Sequence, residues 1–129
     1  MVGKLRLQVL YTPGHTRDSM CLRAEDRLFT GDTLLIGGTG RTDLPSGDDS
    51  QLYDSLFNVL LRLDPALKVF PAHDYKHVGS STLGRELEFA VSHTIHHYAL
   101  VRERLRGVDF DPRFGVAPST LEYWRTAAR

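Results

Sequence analysis

The sequence predicts an α/β protein of the α+β kind: a partial β-sheet with helices, followed by a long amphipathic helix and an irregular tail. Three observations carry that prediction. Before residue 80, short apolar runs alternate with turns rich in glycine and proline. One stretch among them, 50–63, instead spaces its leucines for a helix. From Leu83 to Arg106 there is no proline and only the early Gly84, and apolar residues recur at intervals of three and four.

Residues 4–11 (Lys-Leu-Arg-Leu-Gln-Val-Leu-Tyr) alternate polar and apolar with period two, the pattern of a half-buried strand. Thr12-Pro13-Gly14-His15-Thr16 ends it, because proline cannot donate to a ladder and glycine permits the turn. Residues 19–23 and 27–30 are two apolar runs joined through Ala24-Glu25-Asp26, which reads as a hairpin. The glycine-rich stretch 36–47 is a loop. Asp48 or Asp49 then caps a helix over about 50–63, with Leu52, Leu56, Val59, Leu60 and Leu63 on one face, and Pro65 stops it. Lys68-Val69-Phe70 is a short strand, and Pro71-Ala72-His73-Asp74-Tyr75 is the loop after it.

Beyond residue 80, Leu87, Val91, Ile95, Tyr98, Val101 and Leu105 make the apolar stripe of one helix over 83–106, ended by Gly107. A lone helix cannot bury its own stripe. The stripe must therefore dock on the 50–63 helix, on an exposed sheet face, or on a second chain. The tail after it, with Phe110, Pro112, Phe114, Pro118 and Trp124, is irregular and aromatic, with a last short helix from Ser119.

Composition narrows the partners. The chain has 129 residues and a mass of 14.5 kDa, with 41% hydrophobic and 25% charged residues, which excludes disorder along its whole length. Sixteen basic residues face sixteen acidic ones, and the segments before and after residue 80 each balance to within one charge. Neither segment has the basic footprint of a nucleic-acid or anionic-membrane binder. A single cysteine, Cys21, excludes an internal disulfide framework and fits a reducing compartment. The apolar runs fall far short of the roughly 20 residues that span a bilayer, and the opening Met-Val-Gly-Lys carries no signal pattern. The expected location is cytoplasmic.

The histidines point to chemistry. There are six, and none precedes His15. His15 follows the first strand, Asp32 follows the third within Phe-Thr-Gly-Asp-Thr, and His73 follows the strand at 68–70. Loops at one edge of a sheet are where scaffolds place reactive groups. Imidazoles with a carboxylate are a donor set for Zn(II) or for non-haem Fe(II). The plainer alternative makes His15 and Asp32 turn and cap residues.

Four motifs in order strengthen the metal reading: Thr-Pro-Gly-His-Thr (12–16), Leu-Phe-Thr-Gly-Asp-Thr-Leu (28–34), Gly-Arg-Thr-Asp (40–43) and Val-Phe-Pro-Ala-His-Asp-Tyr (69–75). Over residues 4–83 the chain resembles the C-terminal half of a metallo-β-lactamase-fold enzyme, nearest to the persulfide dioxygenases and then to the glyoxalase II hydrolases. The resemblance implies His15 and Asp32 as metal ligands. It makes His73 a second-metal ligand in the hydrolases and a near-metal residue in the dioxygenases. It sets Arg41 and Tyr75 close to a small thiol-type substrate such as glutathione persulfide. The family's opening half carries a His-x-His-x-Asp-His motif that has no counterpart here, and in the dioxygenase pattern the third iron ligand comes from it. Half a sandwich also leaves an apolar sheet face bare, so a homodimer or a missing N-terminal half is expected to cover it.

A second histidine group, Ser92-His93-Thr94-Ile95-His96-His97, lies within the long helix. His93 and His97, four residues apart, stack on one helix face and can share a metal, whereas His96 points elsewhere. A polar stripe without metal is the alternative. Residues 84–100 with 114–121 resemble the C-terminal part of the DinB-like four-helix-bundle proteins, in which a His-x-x-x-His pair joins a histidine from an earlier helix. The expected division is therefore 1–80, the metallo-β-lactamase-like half, and 81–129, the DinB-like segment.

Overall fold

A computed structural model describes residues 3–105, 107–109 and 125. Two compact units divide it, Met1–Phe89 and Ala90–Arg129.

The first unit is built on a five-stranded mixed sheet. Its strands are β1 (Gln8–Tyr11), β2 (Met20–Ala24), β3 (Arg27–Gly31), β6 (Lys68–Pro71) and β7 (Ser81–Thr82), in the spatial order β1-β2-β3-β6-β7. A small hairpin of β4 (Leu34–Leu35) and β5 (Gly38–Thr39) forms a separate sheet, its turn and β5 inside the stretch 36–47 expected to be all loop. The first strand is shorter than its period-two pattern, because β2 offers partners only to Gln8–Tyr11. The hairpin β2–β3 turns at Glu25, whose φ of 54° is tolerated in a tight turn. The strands β3 and β6 pair in parallel, so the chain must cross over between them, and it does so through the helix.

That helix starts where Asp48 accepts the Gln51 N–H at 2.8 Å, so Asp48 is the cap. It is not uniform. An α-helical stretch, α1 (Asp49–Asp54), continues as a single π turn over Ser55–Val59 and closes as a 3₁₀ turn over Leu60–Arg62. Leu52, Leu56 and Leu60 nevertheless share one buried face, and with Cys21, Leu28, Leu67 and Val69 they form the core. The second helix, α2 (Leu83–Arg104), adds Leu83 and Leu87 to the same cluster.

The other face of the sheet is apolar. Val9, Leu22, Phe29 and Phe70 form one cross-strand row, with the Phe29 and Phe70 rings 5.6 Å apart. Val9 and Phe29 remain exposed.

In the second unit the helix continues to Arg104, and a turn follows at Leu105 and Gly107. Its stripe is buried only at its start: Leu87 is interior, whereas Tyr98, Val101 and Leu105 are exposed. The expected helix from Ser119 and the 114–121 part of the DinB-like resemblance lie outside the described residues. No described helix is long and apolar enough to cross a membrane.

Candidate metal centre

Three loops at the same end of the sheet bring His15, Asp32 and His73 together. The loop after β1 is clamped against the helix. Asp48 N–H donates to the Gly14 carbonyl at 2.8 Å, and Ser55 Oγ donates to the Pro13 carbonyl at 2.7 Å. Only glycine fits at position 14, where φ is +139° and an added Cβ would lie 2.4 Å from the Leu52 backbone. Asp32 directly follows β3. Ala72 N–H donates to the Gly31 carbonyl at 2.9 Å, which ties the end of β6 to the end of β3 and sets His73 beside Asp32.

Asp32 stands beside both imidazoles, accepting from His73 at Oδ1 and facing the His15 Nε2 with Oδ2. His73 Nδ1 is 2.7 Å from Oδ1, and His15 Nε2 is 3.7 Å from Oδ2. His15 Nδ1 lies 2.7 Å from the Arg41 carbonyl, an acceptor only, so this nitrogen carries the proton and Nε2 presents its lone pair. The His15 and Asp32 side chains are 19% and 28% exposed, open enough for a ligand to reach both.

Below them, buried threonines lock the floor. Thr12 Oγ1 lies 3.1 Å from Thr33 Oγ1 and 3.3 Å from Cys21 Sγ, and Thr30 Oγ1 donates to the Leu34 carbonyl at 2.6 Å. Burial pushes the Cys21 thiol up, and its contacts with Thr12 and Thr33 only partly offset that, so it is an inert packing residue rather than a nucleophile. Sequence reasoning passed over Thr12, Thr30 and Thr33. Their signal was position, since each sits within three residues of His15 or Asp32.

Arg41 enters the site through its backbone. Its guanidinium grips Asp43, Nε to Oδ1 at 2.5 Å and Nη2 to Oδ2 at 2.7 Å, a pairing that raises the Arg41 pKa and holds the Asp43 carboxyl low. Tyr75 is 75% exposed and stacks on His73, with centroids 5.5 Å apart and the rings 3° from parallel. His93 and His97 lie in the second unit, where their Nε2 atoms are 3.0 Å apart. The His96 ring, expected to point elsewhere, is 5.7 Å from that of His97.

The donor chemistry fits a metal in part. A separation of 3.7 Å between His15 Nε2 and Asp32 Oδ2 is shorter than the sum of two metal–ligand bonds of about 2 Å each. Both can therefore reach one ion. His73 spends its near nitrogen on Asp32, and among the described residues no three His, Cys, Asp or Glu side chains form a metal-holding group.

The model of the Metallo-beta-lactamase superfamily matches residues 1–73. The chain belongs to that superfamily. A hydroxyacylglutathione hydrolase of Francisella tularensis subsp. novicida is 45% identical over 76 residues, 57% of this chain and 30% of that protein. Among solved structures, ETHE1 from Myxococcus xanthus is 51% identical with a TM-score of 0.65, covering 67% of this chain and 38% of that one. TTHA1623, solved in a di-iron-bound form, is 36% identical with a TM-score of 0.54, covering 60% and 38%. This chain thus spans about a third of the length of the curated relatives it matches. Metal binding is a property of the superfamily, and TTHA1623 is one neighbour solved with iron.

Proposed function

We propose that this chain carries part of a metal centre of the persulfide dioxygenase type, with His15 and Asp32 as donors to Fe(II) and His73 beside them. The carrying observation is the approach of His15 Nε2 to Asp32 Oδ2 while His15 Nδ1 is held by the Arg41 carbonyl. A bound iron would supply open coordination positions next to the sulfur of a glutathione persulfide. The chain's own residues orient. Asp32 keeps the His73 imidazole turned inward, and the Arg41 carbonyl holds His15 and fixes which of its nitrogens is free. Arg41 and Tyr75 are the proposed substrate contacts. Arg41 would exchange Asp43 for a carboxylate of the glutathione moiety, a bidentate pairing its planar fork favours.

Thioester hydrolysis with Zn(II), the glyoxalase II type, is the alternative, supported by the 45% identity to the Francisella hydrolase. Persulfide oxidation ranks ahead because the Gly40-Arg41-Thr42-Asp43 turn favours it and identity to ETHE1 reaches 51%. A third reading, a non-catalytic metal-binding module, draws support from His93 and His97. Nitrogens 3.0 Å apart match two adjacent positions around one divalent ion, and this pair is also what favours a DinB-like segment over 81–129 beside a metallo-β-lactamase-like half over 1–80. A second copy of the chain or an N-terminal half would cover the exposed sheet row. The cytoplasmic assignment draws its support from Cys21, unpaired and buried.

Two donors leave an ion's geometry unfixed, so the 129-residue chain is expected to hold metal loosely and to turn over neither substrate. Iron and zinc counted per chain, in the wild type and in Asp32→Ala, test the site. Metal content should fall in the variant, and oxygen uptake with glutathione persulfide should be absent from both. Metal content unchanged by Asp32→Ala would overturn the site. Uptake abolished by that substitution would show that two donors suffice.

A further inference from the structure

Glu86 is the one charged side chain in the interior among the described residues, at 3% exposure. It lies in the first turn of α2, between Leu83 and Leu87 of the core. Burying a carboxylate is costly unless it is hydrogen bonded, and an apolar residue would pack there at no such cost. Its partner explains its place. Glu86 Oε2 accepts the Gly37 N–H at 2.6 Å, a short charge-assisted bond to the turn of the β4–β5 hairpin. Lys76 Nζ reaches the same turn, 2.8 Å from where a Cβ on Gly37 would stand.

From Gly37 the chain runs through β5 straight into the candidate metal centre. A Cβ on Gly40 would lie 2.1 Å from the Asp32 carbonyl oxygen and 2.8 Å from His15 Nδ1, so this loop packs closely on the Asp32 backbone and the His15 ring. The next residue, Arg41, supplies the carbonyl that accepts the hydrogen bond from His15 Nδ1–H. A carbonyl placed there selects the tautomer whose Nε2 is free to ligate, as partners beyond the ligands do for metal-binding histidines.

We propose that Glu86 is a positioning residue for this centre: by holding Gly37 from α2 it seats the loop that fixes His15 in its Nδ1–H form. The metal part of this statement rests on the reading of His15 as a donor; the tautomer part does not. The substitution Glu86→Leu keeps the volume and removes the acceptor. Glu86→Asp keeps the charge but falls short of Gly37. Glu86→Gln restores an oxygen at the right reach.

Ring-nitrogen NMR of His15 at alkaline pH reads the tautomer directly, and Zn(II) titration calorimetry in a His93→Ala/His97→Ala background reads the site alone. The wild type and Glu86→Gln should show His15 protonated at Nδ1. Glu86→Leu and Glu86→Asp, folded by circular dichroism, should show a mixture with the Nε2–H form and bind Zn(II) about 10- to 100-fold more weakly. A folded Glu86→Leu or Glu86→Asp with His15 still wholly Nδ1–H and Zn(II) affinity within about twofold of wild type would overturn the proposal. Should Glu86→Leu fail to fold, Glu86→Asp alone decides. A tautomer shift without any Asp32-dependent Zn(II) binding in the wild type would uphold the positioning link and remove the metal reading instead.

Discussion

The two histidine groups of this chain are made in opposite ways. His15, Asp32 and His73 come from three loops and meet only because β1, β3 and β6 end on the same side of one sheet. His93 and His97 meet because one helical turn separates them. The first group is held by long-range contacts at every point: Gly14 against Leu52, Ala72 against Gly31, Arg41 against His15. The second needs only that residues 93–97 stay helical. A site assembled by tertiary structure can be tuned from a distance and broken from a distance, whereas a local pair is harder to disturb and less well defined.

The largest expected break comes at Gly40. Adding a methyl group there, Gly40→Ala, drives a Cβ into the Asp32 backbone, a contact no rotamer change relieves. Overpacking of this kind costs about 1–3 kcal/mol. Urea denaturation should register that loss, while the His15–Arg41 hydrogen bond disappears from NMR spectra. The signals of His93 and His97 should not move. If they shift as much as those of His15, the contrast between the groups is wrong.

The converse substitution sharpens it. His97→Ala removes one of two nitrogens 3.0 Å apart and leaves the sheet untouched. Binding of Ni(II) to the helix should weaken at least about tenfold, roughly 1.4 kcal/mol, with the melting temperature of the metal-free protein nearly unchanged. Equal Ni(II) affinity in wild type and variant would mean that the pair does not chelate.

The smallest effect is a titration. Asp74, next to His73, is held below the usual carboxylate range, first by the Gly79 N–H and then by that of Val78, at 2.7 and 3.0 Å. A folded pKa below the unfolded one means that the turn is supported at pH values above the unfolded value of about 3.9. The support is lost as the pH falls through the depressed folded value. The Val78 and Gly79 amide shifts should titrate with a midpoint below about 3.9 and should not do so in Asp74→Asn. A midpoint at or above that value contradicts the assignment.

Much of the local structure was legible in the residues. Alternation located β1, short apolar runs the β2–β3 hairpin and β6, Asp48 or Asp49 the helix start, and the spacing from Leu83 onward marked α2. The π and 3₁₀ turns were not, because Leu52, Leu56 and Leu60 satisfy a plain helix just as well. Nor was the role of Arg41, whose side chain attracts attention while its carbonyl does the positioning. Glu86 reads from sequence as an ordinary acidic residue in a first helical turn.

The sequence by itself determined the two helices and the strands β1, β2, β3 and β6 in outline, the spacing of His93 and His97, and the candidate donors His15, Asp32 and His73. These depend on periodicity, capping and motif order, which act within about a dozen residues or are carried by the chain as written. Tertiary structure alone decided that β3 and β6 pair in parallel, that Asp32 stands between two imidazoles, and that α2 reaches the glycine loop through Glu86. Those contacts join residues from 17 positions apart, His15 and Asp32, to 49 apart, Gly37 and Glu86. Nothing local favours one such pairing over another, and only burying Leu28, Val69 and the helix leucines together selects it.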